Sequence, residues 1–590
     1  MKKRRFPINL SDEIWSGDIK HTKQIFKNIG EDDFFGANFL GGVNVYRSNI
    51  LKLVLTLIFF VFLLRLFQLT VVYGEKNRDL SLNNRVRVEK LEAKRGRILD
   101  RGGKVLAYSQ DKYFLEKDGN VQEITQDQAV QLSKEGLAGE DFSGSLGKVT
   151  KRVVRVYPYG EMTAHVLGYT SIAQEADISQ NSSLTPGEFI GRLGLEETYD
   201  NVLRGQSGKK IVEVDSSGKI ISIFGMIDAK SGQDITVNID VDLQKAAYEA
   251  MTVQLSQVKE KSGSLVVLDV ENGEILTLLS FPSFDPADIG KSVADDDKPL
   301  FDRAIGGQYA PGSVFKIVSS LAGLDSGKIT KDTEIEDTGQ FMLGGVKFAN
   351  WYYLTYGSTD GILKLDRALA RSNDIYFFKL GQEVGLEAIR KWALLMGFGQ
   401  ATGVDLPGES FGLVPDEKWK DANFSDSWYL GDTMHLSIGQ GFAQATPIQV
   451  GVMTAYVANG GRKITPHLVS KVEGANGVQI ETQNSPNNCL PDVETCPKAQ
   501  DLDLVRSGML QACQEKGTAW PFFKEEKYKT ACKTGTAEIT QGNPHAWFTA
   551  YAPFDFPKLA IVVMIENGGE GSSVAAPVAK RVFDWYFTRR

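Results

Sequence analysis

A chain of 590 residues exceeds what one ordinary hydrophobic core accommodates, so two or more domains are expected. Its 42% apolar and 24% charged residues are those of a globular protein, and a net charge of −8 with no concentrated basic face gives no nucleic-acid signal. His21, His165, His435, His467 and His545 are scattered without metal-ligand spacing, and no phosphate-cradling glycine loop occurs.

Residues 1–49 are polar with scattered aromatics and read as a cytoplasmic tail. Leu53 to Leu64 is uncharged, and the apolar run extends to Tyr73. Counting from Ile50 to Tyr73 gives enough length to span a bilayer, because Lys52 and Arg65 can snorkel to the interfaces. About fifty residues precede the run and no small-residue cleavage site follows, which argues against a removed signal peptide. Lys2, Lys3, Arg4, Arg5 and Arg47 favour the N-terminus inside, and the bulk of the chain outside, although basic residues also follow the span.

From 74 to 240 the chain is glycine-rich and charged, with short alternating runs such as Lys209–Asp215 that predict strands in a mixed, extended module. From about 255 the texture changes. Ser264–Asp269 and Glu274–Leu279 flank Glu271-Asn272-Gly273, a hairpin signal. Helical patterns follow through Ser313, over Leu363–Leu380 and over Leu386–Met396. Lys533–Ile539, Ala546–Ala552 and Leu559–Ile565 predict three strands, and Val574–Tyr586 a closing helix. This order implies an α+β architecture, an antiparallel sheet flanked by helices. Cys489, Cys496, Cys513 and Cys532 all lie in the last fifth of the chain. A local Cys489–Cys496 pair with a second Cys513–Cys532 bridge is one of three possible pairings, and an exported domain permits them.

Three short motifs occur in order: Ser313-Val-Phe-Lys316, Ser372-Asn373-Asp374 and Lys533-Thr534-Gly535-Thr536. One alone means little. The first pattern recurs at Ser145–Lys148, Ser207–Lys210, Ser216–Lys219 and Ser256–Lys259, all in turn-like or polar surroundings. Ser313 differs, because Ala310-Pro311-Gly312 stops the preceding segment and an apolar helical run follows. Ser and Lys three apart share a helical face, so the amine can reach the hydroxyl. Singly, Ser313 reads as a helix cap, Ser372-Asn373-Asp374 as another cap, and Lys533-Thr534-Gly535 as a polar turn. Together they describe a serine acyl-transfer site with a lysine base.

The three motifs resemble those of the serine penicillin-recognising enzymes, and within them the class B penicillin-binding proteins. Arg95–Gly102, Tyr157-Pro158, Gly194–Glu196 and Leu203–Gly205 are similar to that class's pedestal module. Gly439–Gly441, Thr446–Gln449, His545–Phe548 and Ala552-Pro553 are similar to its catalytic part. Trp428–Thr433, Ile565–Gly569 and an Asp in third place of the second motif resemble the cell-elongation branch typified by penicillin-binding protein 2. The resemblance implies a span at 50–73, a pedestal or dimerisation-like domain at 74–240 and a penicillin-binding transpeptidase domain at 241–590. Two departures stand out: Cys532 where a small residue usually precedes the lysine, and an insertion at 483–500.

The chemistry then expected is peptidoglycan D,D-transpeptidation. Ser313 is the expected nucleophile and Lys316 its base, with a pKa lowered by burial and by the charge of Lys533. Ser372 relays protons to the leaving amine. Asp374 orients Lys316 or contacts substrate backbone. Asn373, Lys533, Thr534, Gly535 and Thr536 are expected to bind substrate, Lys533 and Thr534 at its terminal carboxylate. The resemblance makes Thr536 and Ser313 the oxyanion-hole amides. No metal or organic cofactor is required. Implied partners are D-Ala-D-Ala stem peptides, β-lactams, a membrane glycosyltransferase of the SEDS type and cell-shape proteins. Two rival readings are a D,D-carboxypeptidase or β-lactamase-like hydrolase, and a non-catalytic β-lactam sensor or scaffold.

Overall fold

The computed structural model describes residues 45–117, 119–132, 148–181, 184–215, 220–473 and 496–589. The expected tail up to residue 44, Cys489 and most of the insertion at 483–500 lie outside the described residues. The chain divides into two units after Arg87.

In the first unit, the helix Val45–Phe67 continues as a π-helical turn over Gln68–Val72. Leu53, Val54, Leu55, Leu57 and Ile58 through Leu64 all face outward. A helix apolar all round with no core to enter belongs in hydrocarbon rather than water. Asn49–Val72, 24 residues, is long and apolar enough to cross a membrane, at the place where the span was expected. It is a candidate membrane anchor.

The second unit begins with the pedestal. Residues of the Arg95–Gly102, Tyr157-Pro158 and Gly194–Glu196 motifs meet there in one buried charge cluster. Arg95 donates to both Glu196, at 2.9 Å, and Asp200, at 2.7 Å. Arg155 donates to the other Glu196 oxygen at 2.7 Å, and the Tyr157 hydroxyl lies 3.5 Å from it. Glu196 is fully buried, and the two guanidiniums hold its carboxyl below the usual carboxylate range against the opposing effect of burial. The Arg95 guanidinium is raised by Glu196 and Asp200 despite its own burial. Next in sequence, Gly96 leaves no room for a side chain, since a Cβ would lie 1.8 Å from the Gln233 carbonyl oxygen.

The pedestal sheet contains an element that the expected boundary at 240 would separate from it. Strand Asp234–Val237 pairs in parallel with Ile98–Leu99 on one side and antiparallel with Val469–Glu473 on the other. That last strand comes from beyond the hairpin, deep in the C-terminal half of the sequence.

The C-terminal half is the expected antiparallel sheet between helices. Its elements are helix α1 (Val241–Val258), strands β1 (Gly263–Asp269) and β2 (Ile275–Phe281), helices α2 (Lys316–Asp325), α3 (Leu365–Arg371), α4 (Asp374–Val384), α5 (Pro447–Ala458) and α6 (Ala499–Cys513), strands β3 (Ala531–Ala537), β4 (His545–Ala552) and β5 (Leu559–Ile565), and helix α7 (Ala576–Arg589). The strand order is β2-β1-β5-β4-β3, antiparallel throughout. Helices α1 and α7 cover one face and α5 the other. Covering both faces explains why β5 reads Leu-Ala-Ile-Val-Val-Met-Ile with no polar alternation and is buried at every position. Gly273 turns the β1–β2 hairpin with φ +82°. Thr446 caps α5 and Gln449 bonds back to it, with Pro447 at the first position, so the Thr446–Gln449 motif is a capping box.

One helical pattern proves to be two helices. The stretch read as continuous over Leu363–Leu380 breaks after Arg371, where Ser372 takes φ +55° and Asn373 caps α4 by accepting from the Tyr376 amide. A serine in the left-handed region carries no local signal of the break.

The charge cluster yields a test. Glu196→Ala strands two buried guanidiniums, so it is expected to cost about 3–5 kcal/mol in chemical denaturation. A change within about 1 kcal/mol would contradict the buried-cluster account.

Candidate active site

Strand β3 is one edge of the sheet, and it faces the break between α3 and α4 and the start of α2. All three motifs meet there. Gly312–Phe315 forms a single 3-10 turn that runs into α2, leaving Ser313 half-buried and Lys316 fully buried at the first position of the helix. The turn is fixed from two sides: the Gly312 amide donates to the Gly439 carbonyl at 2.8 Å, and Trp547 Nε1 donates to the Ala310 carbonyl at 3.1 Å. Gly439 has φ +71°, and a Cβ there would lie 2.3 Å from the Gly312 oxygen. The Gly439–Gly441 motif therefore seats the serine turn.

Ser372 is the hub. Its left-handed backbone turns the side chain inward, leaving the residue 5% exposed. Lys533 Nζ donates to Ser372 Oγ at 2.8 Å and to the Thr534 carbonyl at 2.8 Å. Lys316 Nζ lies 3.4 Å from the same Ser372 Oγ and donates to the Ser372 carbonyl at 2.8 Å. A third contact of Lys316 reaches Asp374 Oδ1 at 2.7 Å. The second Asp374 oxygen accepts from the Trp351 amide at 2.9 Å. Of the two roles expected for Asp374, the observed contact is the one that orients Lys316.

Both amines are fully buried, and burial is the main reason that both pKa values fall below the usual lysine range. For Lys316, Asp374 opposes the fall through its charge and hydrogen bond. For Lys533, the neighbouring Lys316 charge adds to it and takes it well below. The like-charge repulsion expected to lower Lys316 thus weighs on Lys533, because the single carboxylate contacts Lys316 directly. Two amines with one carboxylate and no solvent favour one shared proton over two.

Two expected substrate contacts are spent inside the protein. Asn373 is fully buried; its amide nitrogen donates to Asp337 at 2.8 Å and Asp360 at 3.1 Å, and its oxygen caps α4. It pins the α3–α4 break. Lys533 is likewise enclosed, and its amine donates to Ser372.

The edge strand offers backbone. Gly535 pairs with Trp547 of β4, whereas the Thr534 and Thr536 carbonyls face the other way, toward Lys533 Nζ and Gln440 Nε2. In a strand, the N–H and C=O of one residue point to the same side. Thr534 and Thr536 therefore turn their backbone groups away from β4, Thr536 beside Gly312 and the serine turn. Gly535 is required for this approach, since a Cβ would lie 2.9 Å from Trp547 Cβ and 3.1 Å from Val314 Cγ1. The Thr534 hydroxyl donates at 2.9 Å to Thr518, a residue that sequence reading passed over because nothing distinguishes it in a polar loop. Asn350, which accepts the Asp374 amide at 3.2 Å, was missed for the same reason. Among the described residues, no cluster of three or more His, Cys, Asp or Glu is arranged for a metal.

Cys513 at the end of α6 is bonded to Cys532 of β3, one of the pairings left open. It ties the strand bearing Lys533 to the helix that packs on α3, where Gln511 donates to Asp366 at 2.8 Å.

Two family descriptions match the chain: penicillin binding protein transpeptidase domain over residues 263–584 and penicillin-binding protein dimerisation domain over 120–237. The chain belongs to the penicillin-binding protein transpeptidase family. Among its relatives is the peptidoglycan D,D-transpeptidase MrdA of Haemophilus influenzae, 31% identical over 97% of this chain and 96% of that one. Among solved structures it is similar to one described as a peptidoglycan synthase complex coordinating polymerization and crosslinking (29% identical, TM-score 0.74, covering 93% of this chain and 99% of that one). It is also similar to penicillin-binding protein PBP2 of Helicobacter pylori in its complex with MreC (28% identical, TM-score 0.70, 85% and 99% covered). The three motifs lie within the matched transpeptidase segment.

Gly439→Ala is expected to displace the serine turn and slow labelling by a fluorescent penicillin on the order of a hundredfold. Labelling at the unaltered rate would show that the Gly312–Gly439 contact does not seat Ser313.

Proposed function

We propose that this chain is a serine-type peptidoglycan D,D-transpeptidase of cell elongation, anchored by residues 50–73 with its catalytic domain outside the membrane. The observation that carries the reading is the Ser372 hydroxyl held between the buried amines of Lys316 and Lys533, at 3.4 and 2.8 Å. Such a hydroxyl can pass a proton between two bases and on to a leaving group.

The reaction proceeds in two steps. Lys316 enters the reaction neutral, its proton released as pH passes its lowered pKa. Lys316 then takes the Ser313 proton as Ser313 Oγ attacks the penultimate carbonyl of a D-Ala-D-Ala stem peptide. Charge on that oxygen is met by the Ser313 and Thr536 amides, the former at the positive end of α2; each such donor is typically worth about 3 kcal/mol. The C–N bond breaks, D-alanine leaves with a proton delivered through Ser372, and an ester to Ser313 remains. In the second step an amine of a neighbouring stem attacks the ester. Its proton returns through Ser372 and Lys316 to Ser313 Oγ, and the crosslink is an amide. A β-lactam enters by the first step and stalls before the second.

The outward backbone of Thr534 and Thr536 suits an extended peptide lying along β3, with hydrogen bonds in the manner of an added strand. The domain assignments 74–240 for the pedestal and 241–590 for the catalytic part follow the same reading, with the Val469–Glu473 strand shared. The relatives' assemblies support a polymerising glycosyltransferase of the SEDS type and a cell-shape protein as partners.

Three outcomes are expected. Fluorescent penicillin labels the wild-type chain, and Ser313→Ala abolishes the label; a labelled variant would move the nucleophile elsewhere. Lys316→Ala lowers the acylation rate by at least about a hundredfold, and full acylation would remove its role as base. Neutral Lys316 is the active form, so acylation rises as pH climbs through its lowered pKa. Asp374→Asn takes away the charge that opposes this lowering, so the rise moves to lower pH and the maximal rate drops. A pH–rate limb that stays in place would separate Asp374 from the base.

A further inference from the structure

Thr518 belongs to none of the three motifs, yet it is anchored to two of them. Its hydroxyl accepts from Thr534 Oγ1 at 2.9 Å, and its amide donates to the Ala370 carbonyl at 3.3 Å, two residues before Ser372. The loop that carries it is closed by the Cys513–Cys532 bridge. Ala519 N donates back to the Ala512 carbonyl at 2.9 Å. The Lys516 carbonyl accepts from Arg367 at 3.0 Å and Arg371 at 3.1 Å. Gly517 packs so closely on α6 that a Cβ would lie 2.2 Å from the Gln511 carbonyl oxygen. Residue 518 is thus held by its own amide and hydroxyl and by the anchoring of its neighbours, while its side chain stays half-exposed beside the outward face of β3. A polar loop residue fixed this firmly needs more than solvent to explain it.

We propose that Thr518 is the positioning residue for the substrate's terminal carboxylate, acting through the Thr534 hydroxyl. The inference deepens the transpeptidase reading and rests on it. Lys533 is enclosed and committed to Ser372, so the carboxylate is left to hydroxyls and to backbone N–H groups of β3. Without ligand, the Thr534 hydrogen points to Thr518. A carboxylate accepts that hydrogen instead, and Thr518 rotates its own hydroxyl hydrogen onto Thr534 Oγ1. Each hydroxyl can donate once and accept twice, so the handover leaves no buried oxygen unpaired. The donation from Thr518 also polarises the Thr534 hydroxyl toward the anion. No bond to oxygen breaks and no proton changes owner.

The test uses the full-length chain in detergent, with benzylpenicillin and its methyl ester as probes, and separates the binding constant from the acylation rate at saturation. Thr518→Val is expected to weaken binding of benzylpenicillin by about three- to tenfold, the range of one hydrogen bond, with the saturated acylation rate unchanged. The ester, which cannot accept as an anion, is expected to show no difference between Thr518→Val and wild type. Thr518→Ser keeps the hydroxyl and is expected to restore wild-type behaviour with both probes. Equal weakening for acid and ester means that Thr518 only supports the strand, and no weakening for either means that it is idle; each overturns the proposal while wild-type labelling stands. A folded wild type that neither probe acylates overturns the transpeptidase reading itself, and this inference with it.

Discussion

The Ser372 hydroxyl lies between two amines in a place that solvent does not reach, and the catalytic face is built to keep it so. An ammonium in such a place is costly unless paired. One carboxylate, Asp374, stands beside the two lysines, and of the two it bonds Lys316. The site therefore favours a single proton and offers it a hydroxyl to cross. The surroundings serve this arrangement. Asn373, held by Asp337 and Asp360, fixes the left-handed turn at Ser372. Gly439 fixes the serine turn, and the edge strand β3 brings Lys533 in from the other side.

Three separate pieces of chain have to agree in space for that geometry. Residues 313–316, 372–374 and 533–536 lie on α2, at the α3–α4 break and on β3. What joins them is packing behind the site: α6 lies against α3 and is bonded to β3 through Cys513 and Cys532. A covalent tie next to Lys533 reduces the freedom of the strand at the position where a shift of the amine would open its contact with Ser372.

The meeting of the three motifs was legible because each puts reactive residue types at a fixed local spacing, and because their order limited the alternatives. The sheet was legible for the same kind of reason: β1, β2 and β5 are apolar runs with clear turn chemistry between β1 and β2. The second motif was harder. The bonds of Asn373 to Asp337 and Asp360 left no signal, since those partners are 36 and 13 residues away and no pattern connects them. The break at Ser372 was hidden because the flanking helices share an apolar phase, and serine does not announce a left-handed backbone as glycine does. Thr518 left no trace, because its role depends on a loop whose path is set by contacts with α3 and α6. The pedestal motifs were recognised as a set, but their convergence on Glu196 is a fact of three-dimensional packing.

The strand Val469–Glu473 has a consequence for how force passes through the molecule. It follows helix α5, which lies on the catalytic sheet, and it ends in the pedestal by pairing with Asp234–Val237. A strain applied to the pedestal is therefore transmitted by backbone hydrogen bonds into the segment that leaves α5, as through a tendon sewn into both parts. Cutting the chain at residue 241 would not yield an independent catalytic piece. It would strip this strand of its neighbour and leave an open edge ready to pair with another molecule.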